Sequence, residues 1–195
     1  EISMVVRPLD NALVDQEIEA RRATNGILVV SKFRKLHEVL AQVRRGRSFG
    51  LVVDQDAGIW ARGTWVRFFG QLCKVVDMPA ILALRLGAPL IPVAPIRIGR
   101  GPQVVLRMFE PIPAVGSPKD PLALQRMMQR WSDRLEEVVR AHPAQYEWLH
   151  KKFRTRPPGE PGARPDHIDQ QPGAEELART LGVYGGDDTS VRGVV

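Results

Sequence analysis

Short β-branched runs alternate with stretches of helical period along the 195 residues. Residues 2–6, 27–30, 50–54, 90–97 and 103–109 are the predicted strands, each largely apolar and bounded by turn residues. Between them, Leu13, Val14 and Ile18 predict an amphipathic helix opening after Asn11, whose side chain suits an N-cap. Leu36, Val39, Leu40 and Val43 fall at i, i+3, i+4 and i+7 and predict a second helix. A third is expected from Pro79, a good first-turn residue, to Gly87. Leu124, Met128, Trp131, Leu135 and Val138 repeat at spacings of four and three, so one long helix lays a single stripe on the sheet. It ends near His142-Pro143, because the residue before proline avoids helical geometry. The alternation predicts an α/β fold with a mostly parallel central sheet flanked by helices. The apolar stretch 78–96 reads as a helix followed by a strand, since Arg85, Gly87 and four prolines interrupt it as a membrane span.

From Pro157 onward the pattern stops and proline, glycine, aspartate and glutamine take over. The expected organisation is a folded domain over 1–157 and a disordered, acidic, Pro/Gly-rich tail over 158–195, with a short helix around Glu175 to Leu181. Charge divides the same way. Residues 157–195 carry seven acids and three bases, which leaves 25 bases against 15 acids on residues 1–156. A folded part at +10 favours anionic partners: phospholipid headgroups, nucleic acid or an acidic protein. A single cysteine excludes a disulfide framework and a multi-cysteine zinc site, and four scattered histidines offer no metal centre; neither a metal nor a cofactor is expected.

Four segments carry candidate chemistry. Arg7-Pro8-Leu9-Asp10-Asn11 joins a strand to a helix, where parallel sheets present ligand-facing loops; Arg7 suits a phosphate or carboxylate clamp there, or a turn salt bridge with Asp10. Residues 50–58 run as an apolar strand into Asp54-Gln55-Asp56, whose carboxylates suit orienting a base, holding a metal or a sugar hydroxyl, or capping a turn. Trp60 to Gly70 interleaves aromatics with arginines, as nucleic-acid surfaces, membrane-interface patches and ordinary buried loops all do. Residues 141–157 close with four bases between 151 and 156, which suits a polybasic membrane or nucleic-acid segment or a solvated helix end.

In this order and spacing, the four segments resemble the bacterial lipid A biosynthesis acyltransferases, the late acyltransferases of Kdo-lipid A, over about residues 2–157. The family's Arg-Pro-x-x-Asn-Pro is matched by Arg7 to Ala12 with alanine replacing the last proline, its Gly-x-x-x-Asp-Gln-Asp by Gly50 to Asp56, and its Phe-Phe-Gly by Phe68-Phe69-Gly70. Its Gly-Ala-Pro-x-x-Pro-Val is Gly87 to Val93, and its closing His-Pro-x-Gln-x-x-Trp-x-His motif runs from His142 to Pro157, with Arg154 for the usual lysine. The chain departs from the pattern over 71–79, where small and hydroxyl residues are usual in the family.

The resemblance implies an acyltransferase-like fold and transfer of a fatty acyl chain from acyl carrier protein, as co-substrate, to a glycolipid hydroxyl in lipid A (lipopolysaccharide) biosynthesis. It implies substrate-binding roles for Arg7, Asn11, Asp54, Gln55 and Asp56, and a membrane-facing role for Lys151, Lys152, Arg154 and Arg156. The implied partners are acyl carrier protein, anionic membrane lipids and the glycolipid acceptor, with no nucleic acid, at the cytoplasmic face of the inner membrane. The family's catalytic His-x-x-x-x-Glu or Asp pair lies upstream of the strand that matches Ile2 to Val6. The chain is therefore expected to be an N-terminally truncated portion, inactive alone, with an anchor and that pair preceding Arg7 in the gene product; no catalytic residue is expected within it. His142 and Glu147 have the spacing but coincide with the closing motif and enclose Pro143, and His37 has Gln42 where the carboxylate belongs. Two alternatives stand beside this reading: a phosphatidylinositol mannoside-type glycolipid acyltransferase, and a non-catalytic basic module binding membrane or nucleic acid.

Overall fold

A computed structural model describes residues 2–6, 9–31, 41–58 and 62–157. The chain forms two compact units, Glu1–Val53 and Asp54–Val195. In the first, β1 (Ile2–Val6) lies between β2 (Ile27–Ser31) and β3 (Ser48–Gly50), all parallel, with Ile2 opposite both Ile27 and Ser48. Helix α1 (Ala12–Thr24) opens as expected: Asn11 accepts the amides of Leu13 and Val14 at 3.1 and 3.3 Å. Asp15 reaches back to the Leu9 amide at 2.9 Å and ties the incoming turn to the helix. The strand expected over 50–54 is displaced, because β3 pairs only through Ser48–Gly50 and Leu51 to Asp54 run unpaired. Of the helix expected from Leu36, Val39, Leu40 and Val43, only 41–44 is described and helical; the other three residues lie outside the described residues, as do Trp60 and the tail 158–195.

The second unit carries the core. Strands β4 (Thr64–Phe68) and β5 (Gln71–Val75) form an antiparallel hairpin through Phe69-Gly70, both at positive φ, 51° and 77°. Two left-handed residues make the turn whose twist matches a two-residue hairpin. Glycine is at ease there and Phe69 is not. Phe69 is held by its amide donating to Glu136 at 2.5 Å, by its ring meeting Phe68 edge-on at 4.8 Å, and by Arg140 over its face at 4.6 Å. That arrangement gives the Phe-Phe-Gly triplet a structural reason. Helix α2 (Met78–Leu86) starts with Pro79 in its first turn and ends at Gly87 in the left-handed conformation, as the sequence predicts.

Strands β6 (Val93–Arg97) and β7 (Val104–Met108) are antiparallel, with Val93 opposite Met108. This corrects the expectation of a mostly parallel sheet for 90–109. The linker 98–103 is far shorter than the dozen or so residues a parallel crossover needs, so the chain can only fold back. Among the described residues, parallel pairing is confined to β1–β3, and the fold is mixed α/β.

Helix α3 (Pro121–Ala141) has the predicted stripe and stops at His142. Leu124, Met128 and Val138 are buried, while Trp131 and Leu135 are half-buried. Two glutamine amides complete strand edges in the manner of a neighbouring strand. On α3, Gln129 accepts the Arg67 amide at 2.8 Å and donates to the Arg67 carbonyl at 3.0 Å. In the turn after α3, Gln145 does the same to Arg97 on β6, at 2.8 and 3.1 Å. Both devices satisfy strand-edge backbone groups, and the Ser132 hydroxyl also donates to the Arg67 carbonyl at 3.1 Å.

Candidate functional site

The Asp54-Gln55-Asp56 loop is held by the segment after α3, nearly a hundred residues away in sequence. Lys152 Nζ donates to the Asp54 carbonyl at 2.6 Å, and the Tyr146 hydroxyl reaches the same oxygen at 3.4 Å. Thr155 Oγ1 donates to Asp56 Oδ2 at 2.8 Å, and the Gln55 amide donates to His150 Nε2 at 3.0 Å. On the other flank, the Ala57 amide donates to the Lys74 carbonyl at 3.1 Å, stitching the loop to β5. The inner oxygens of both carboxylates, Oδ1 of Asp54 and Oδ1 of Asp56, are buried with no hydrogen-bond partner among the described residues. A buried acceptor without a donor costs about 1–3 kcal/mol.

Aromatic rings back this loop. Phe68 is fully buried, with Tyr146 and Phe153 at ring distances of 5.9 and 6.2 Å. Trp148 meets Tyr146 edge-on at 5.0 Å, and its indole N–H is satisfied by the Pro143 carbonyl at 2.7 Å. Titration behaviour follows burial. The Cys73 thiol is pushed up to about 11 by desolvation, partly opposed by Lys152 and assisted by Asp56, so it stays protonated and inert. Burial, with Asp54 and Cys73 nearby, pushes the Tyr146 hydroxyl to about 12. Among the described residues, no group of three metal-ligating side chains forms.

The site residues expected from sequence fare unequally. Asp54, Gln55 and Asp56 come together with the closing motif, whereas Asn11, in the first unit, caps α1. Arg7 lies outside the described residues, and with it its expected role as a phosphate or carboxylate clamp. Lys151 and Arg154 are exposed and Arg156 is half-buried. Lys152 is a correction: it is 4% exposed and faces inward, so it does not belong to a headgroup-facing set. Its pKa is pushed down by burial, with Cys73, Asp54 and Asp56 acting in the opposite sense. His142 and Glu147 do not act as a pair: His142 caps α3, and Glu147 accepts the Leu149 amide at 3.2 Å. Tyr146 and Thr155 are the members that residue type alone did not single out; the signal available was their place inside the closing motif.

Asp77 is a second buried carboxylate, beside the start of α2. Its Oδ2 accepts Arg62 Nε at 3.0 Å while Oδ1 has no partner among the described residues. Burial raises its pKa by more than Arg62 lowers it. An acid whose folded pKa exceeds its unfolded value holds its proton more tightly when folded. The stability this supplies is complete below the ordinary carboxylate pKa and is lost as pH rises through the raised one. Asp77→Asn is therefore expected to remove that decline. Thermal melts from about pH 3 to pH 8 should show wild type losing melting temperature relative to the variant over the acid limb and running parallel to it above. A constant difference at every pH would contradict this.

The family model for bacterial lipid A biosynthesis acyltransferases matches residues 1–155, and the chain belongs to that family. Among curated proteins it is 29% identical over 161 residues to the lipid A biosynthesis lauroyltransferase of Escherichia coli (strain K12), covering 80% of this chain and 50% of that protein. The chain thus spans about half the length of that relative. Among the described residues, no helix is long and apolar enough to cross a membrane.

Proposed function

We propose that the protein is a glycolipid acyltransferase of lipid A-type biosynthesis, moving a fatty acyl chain from acyl carrier protein to an acceptor hydroxyl. The observation that carries the reading beyond family membership is the Asp54-Gln55-Asp56 loop, fixed at all three residues by the closing motif. Carboxylates accept from hydroxyls, and a sugar headgroup supplies hydroxyls in plenty. In this reading Asp54, Gln55 and Asp56 bind and orient the acceptor. The base that deprotonates its hydroxyl is the family's His-x-x-x-x-Glu or Asp pair, supplied from outside this chain, so residues 1–195 alone are inactive. The test is acyl transfer by the full-length protein to a lipid A precursor, with acyl carrier protein and coenzyme A thioesters compared as donors. Transfer from the carrier-protein thioester is expected, and no transfer from either donor would reject the reading.

The same reading puts the protein at the cytoplasmic face of the inner membrane, with the exposed Lys151 and Arg154 meeting anionic headgroups. Each contributes about 1 kcal/mol near a charged surface and less as salt rises. Lys151→Gln with Arg154→Gln is expected to weaken binding to phosphatidylglycerol vesicles about tenfold or more at low salt, with the melting temperature unchanged. Equal binding by the variant and wild type in vesicle sedimentation would remove these residues from the membrane surface.

A further inference from the structure

We propose that Lys152 is the positioning residue of the acceptor loop, fixing the backbone at Asp54 so that the two carboxylates are presented together; this rests on the acceptor reading of that loop given above. Four bonds from the closing motif reach the loop's three residues, and they differ in kind. Thr155 and His150 touch side chains, on Asp56 and Gln55, which can rotate away while the backbone stays put. Lys152 instead holds a main-chain oxygen, at 2.6 Å against 3.4 Å for the Tyr146 hydroxyl on the same atom, and so is the closer, charged anchor of the chain path at the first of the three residues. Its ammonium is seated between the Phe68 and Trp131 rings, at 5.5 and 5.4 Å from their centroids, which limits the directions it can take.

Packing alone gives no reason for a charge here. An apolar side chain of similar length would fill the space between those rings without desolvating an ammonium, and such exchanges are often neutral or stabilising. What it could not do is donate to the Asp54 carbonyl or place a cation beside Asp54 and Asp56. The depressed pKa of Lys152 agrees with a cation held at a cost and partly compensated by those two carboxylates.

The experiment compares full-length wild type with Lys152→Met, Lys152→Arg and Asp56→Asn in three measurements. These are the melting temperature, amide hydrogen exchange over 54–58, and binding of a lipid A precursor in mixed micelles. Lys152→Met is expected to keep its melting temperature within a few degrees while exchange over 54–58 rises at least tenfold and precursor binding weakens at least tenfold. Lys152→Arg, which still carries a donor and a charge, is expected to recover both to within about threefold. A folded Lys152→Met with wild-type exchange and binding overturns the inference. If Lys152→Met does not fold, Lys152→Arg decides: a folded arginine variant without loop protection equally overturns it. Asp56→Asn separates the two claims. If it leaves binding intact while Lys152→Met loosens the loop, the acceptor reading fails and the strut stands; if it abolishes binding while Lys152→Met does not weaken it, the inference fails.

Discussion

Phe68→Ala is expected to cost about 3–5 kcal/mol, the usual range for emptying a fully buried phenylalanine site. At about 2–4 °C per kcal/mol for a chain of this size, the melting temperature falls by about 10 °C. The size of the effect comes from what the ring touches. Phe68 has no exposed surface, closes β4 at the Phe69-Gly70 turn, and stands within ring-contact range of Phe69, Tyr146 and Phe153 while Lys152 lies over its face. The hairpin and the closing motif both lean on it, so the cavity cannot be filled by moving one of them without disturbing the other. The Asp54–Asp56 loop, held from the closing motif, is expected to lose exchange protection in the same variant. A melting temperature within two degrees of wild type would mean that the aromatic cluster is not the core of this unit.

Asp54→Asn combined with Asp56→Asn is expected to act on binding instead of folding. In the full-length enzyme the acceptor KM rises about 10- to 100-fold, the equivalent of one charge-assisted hydrogen bond worth about 1.5–3 kcal/mol. The turnover number changes much less, because on this account the carboxylates hold the acceptor and do not exchange protons with it. Asparagine keeps the size and the hydrogen-bonding ability of the side chain, so the Thr155 contact at position 56 has a neutral acceptor to use and the fold is retained. A large fall in turnover with an unchanged KM would instead place one carboxylate in the chemistry. No change in either would reduce the loop to a capped turn.

Much of this was readable in the sequence, for reasons particular to each element. The stripe on α3 has a clean period because one face of a long helix is buried, and Asn11, Pro79 and Gly87 mark helix ends because their chemistry is local. The β4–β5 hairpin was hidden. Thr64, Trp65, Val66 and Phe68 are all buried, so period-two alternation is lost, and the turn carries phenylalanine where asparagine or glycine would advertise it. The β6–β7 pairing could have been deduced from linker length alone, yet the alternation of strands and helices suggested the parallel answer. Lys152 was misplaced for a different reason. Among four bases in six residues, the one that turns inward is selected by a partner 98 residues away, the Asp54 carbonyl. No local pattern distinguishes it from Lys151.

The proposed role is addition of an acyl chain to a membrane glycolipid, with the Asp54–Asp56 loop holding the acceptor. It is tested most directly by mass spectrometry of lipids from cells lacking the gene, complemented with wild type or with the Asp54→Asn, Asp56→Asn double variant. The account predicts that one glycolipid loses a single fatty acyl unit in the deletion strain, regains it with wild type, and regains little of it with the double variant at equal protein level. An unchanged glycolipid profile on deletion, or full restoration by the double variant, would contradict it.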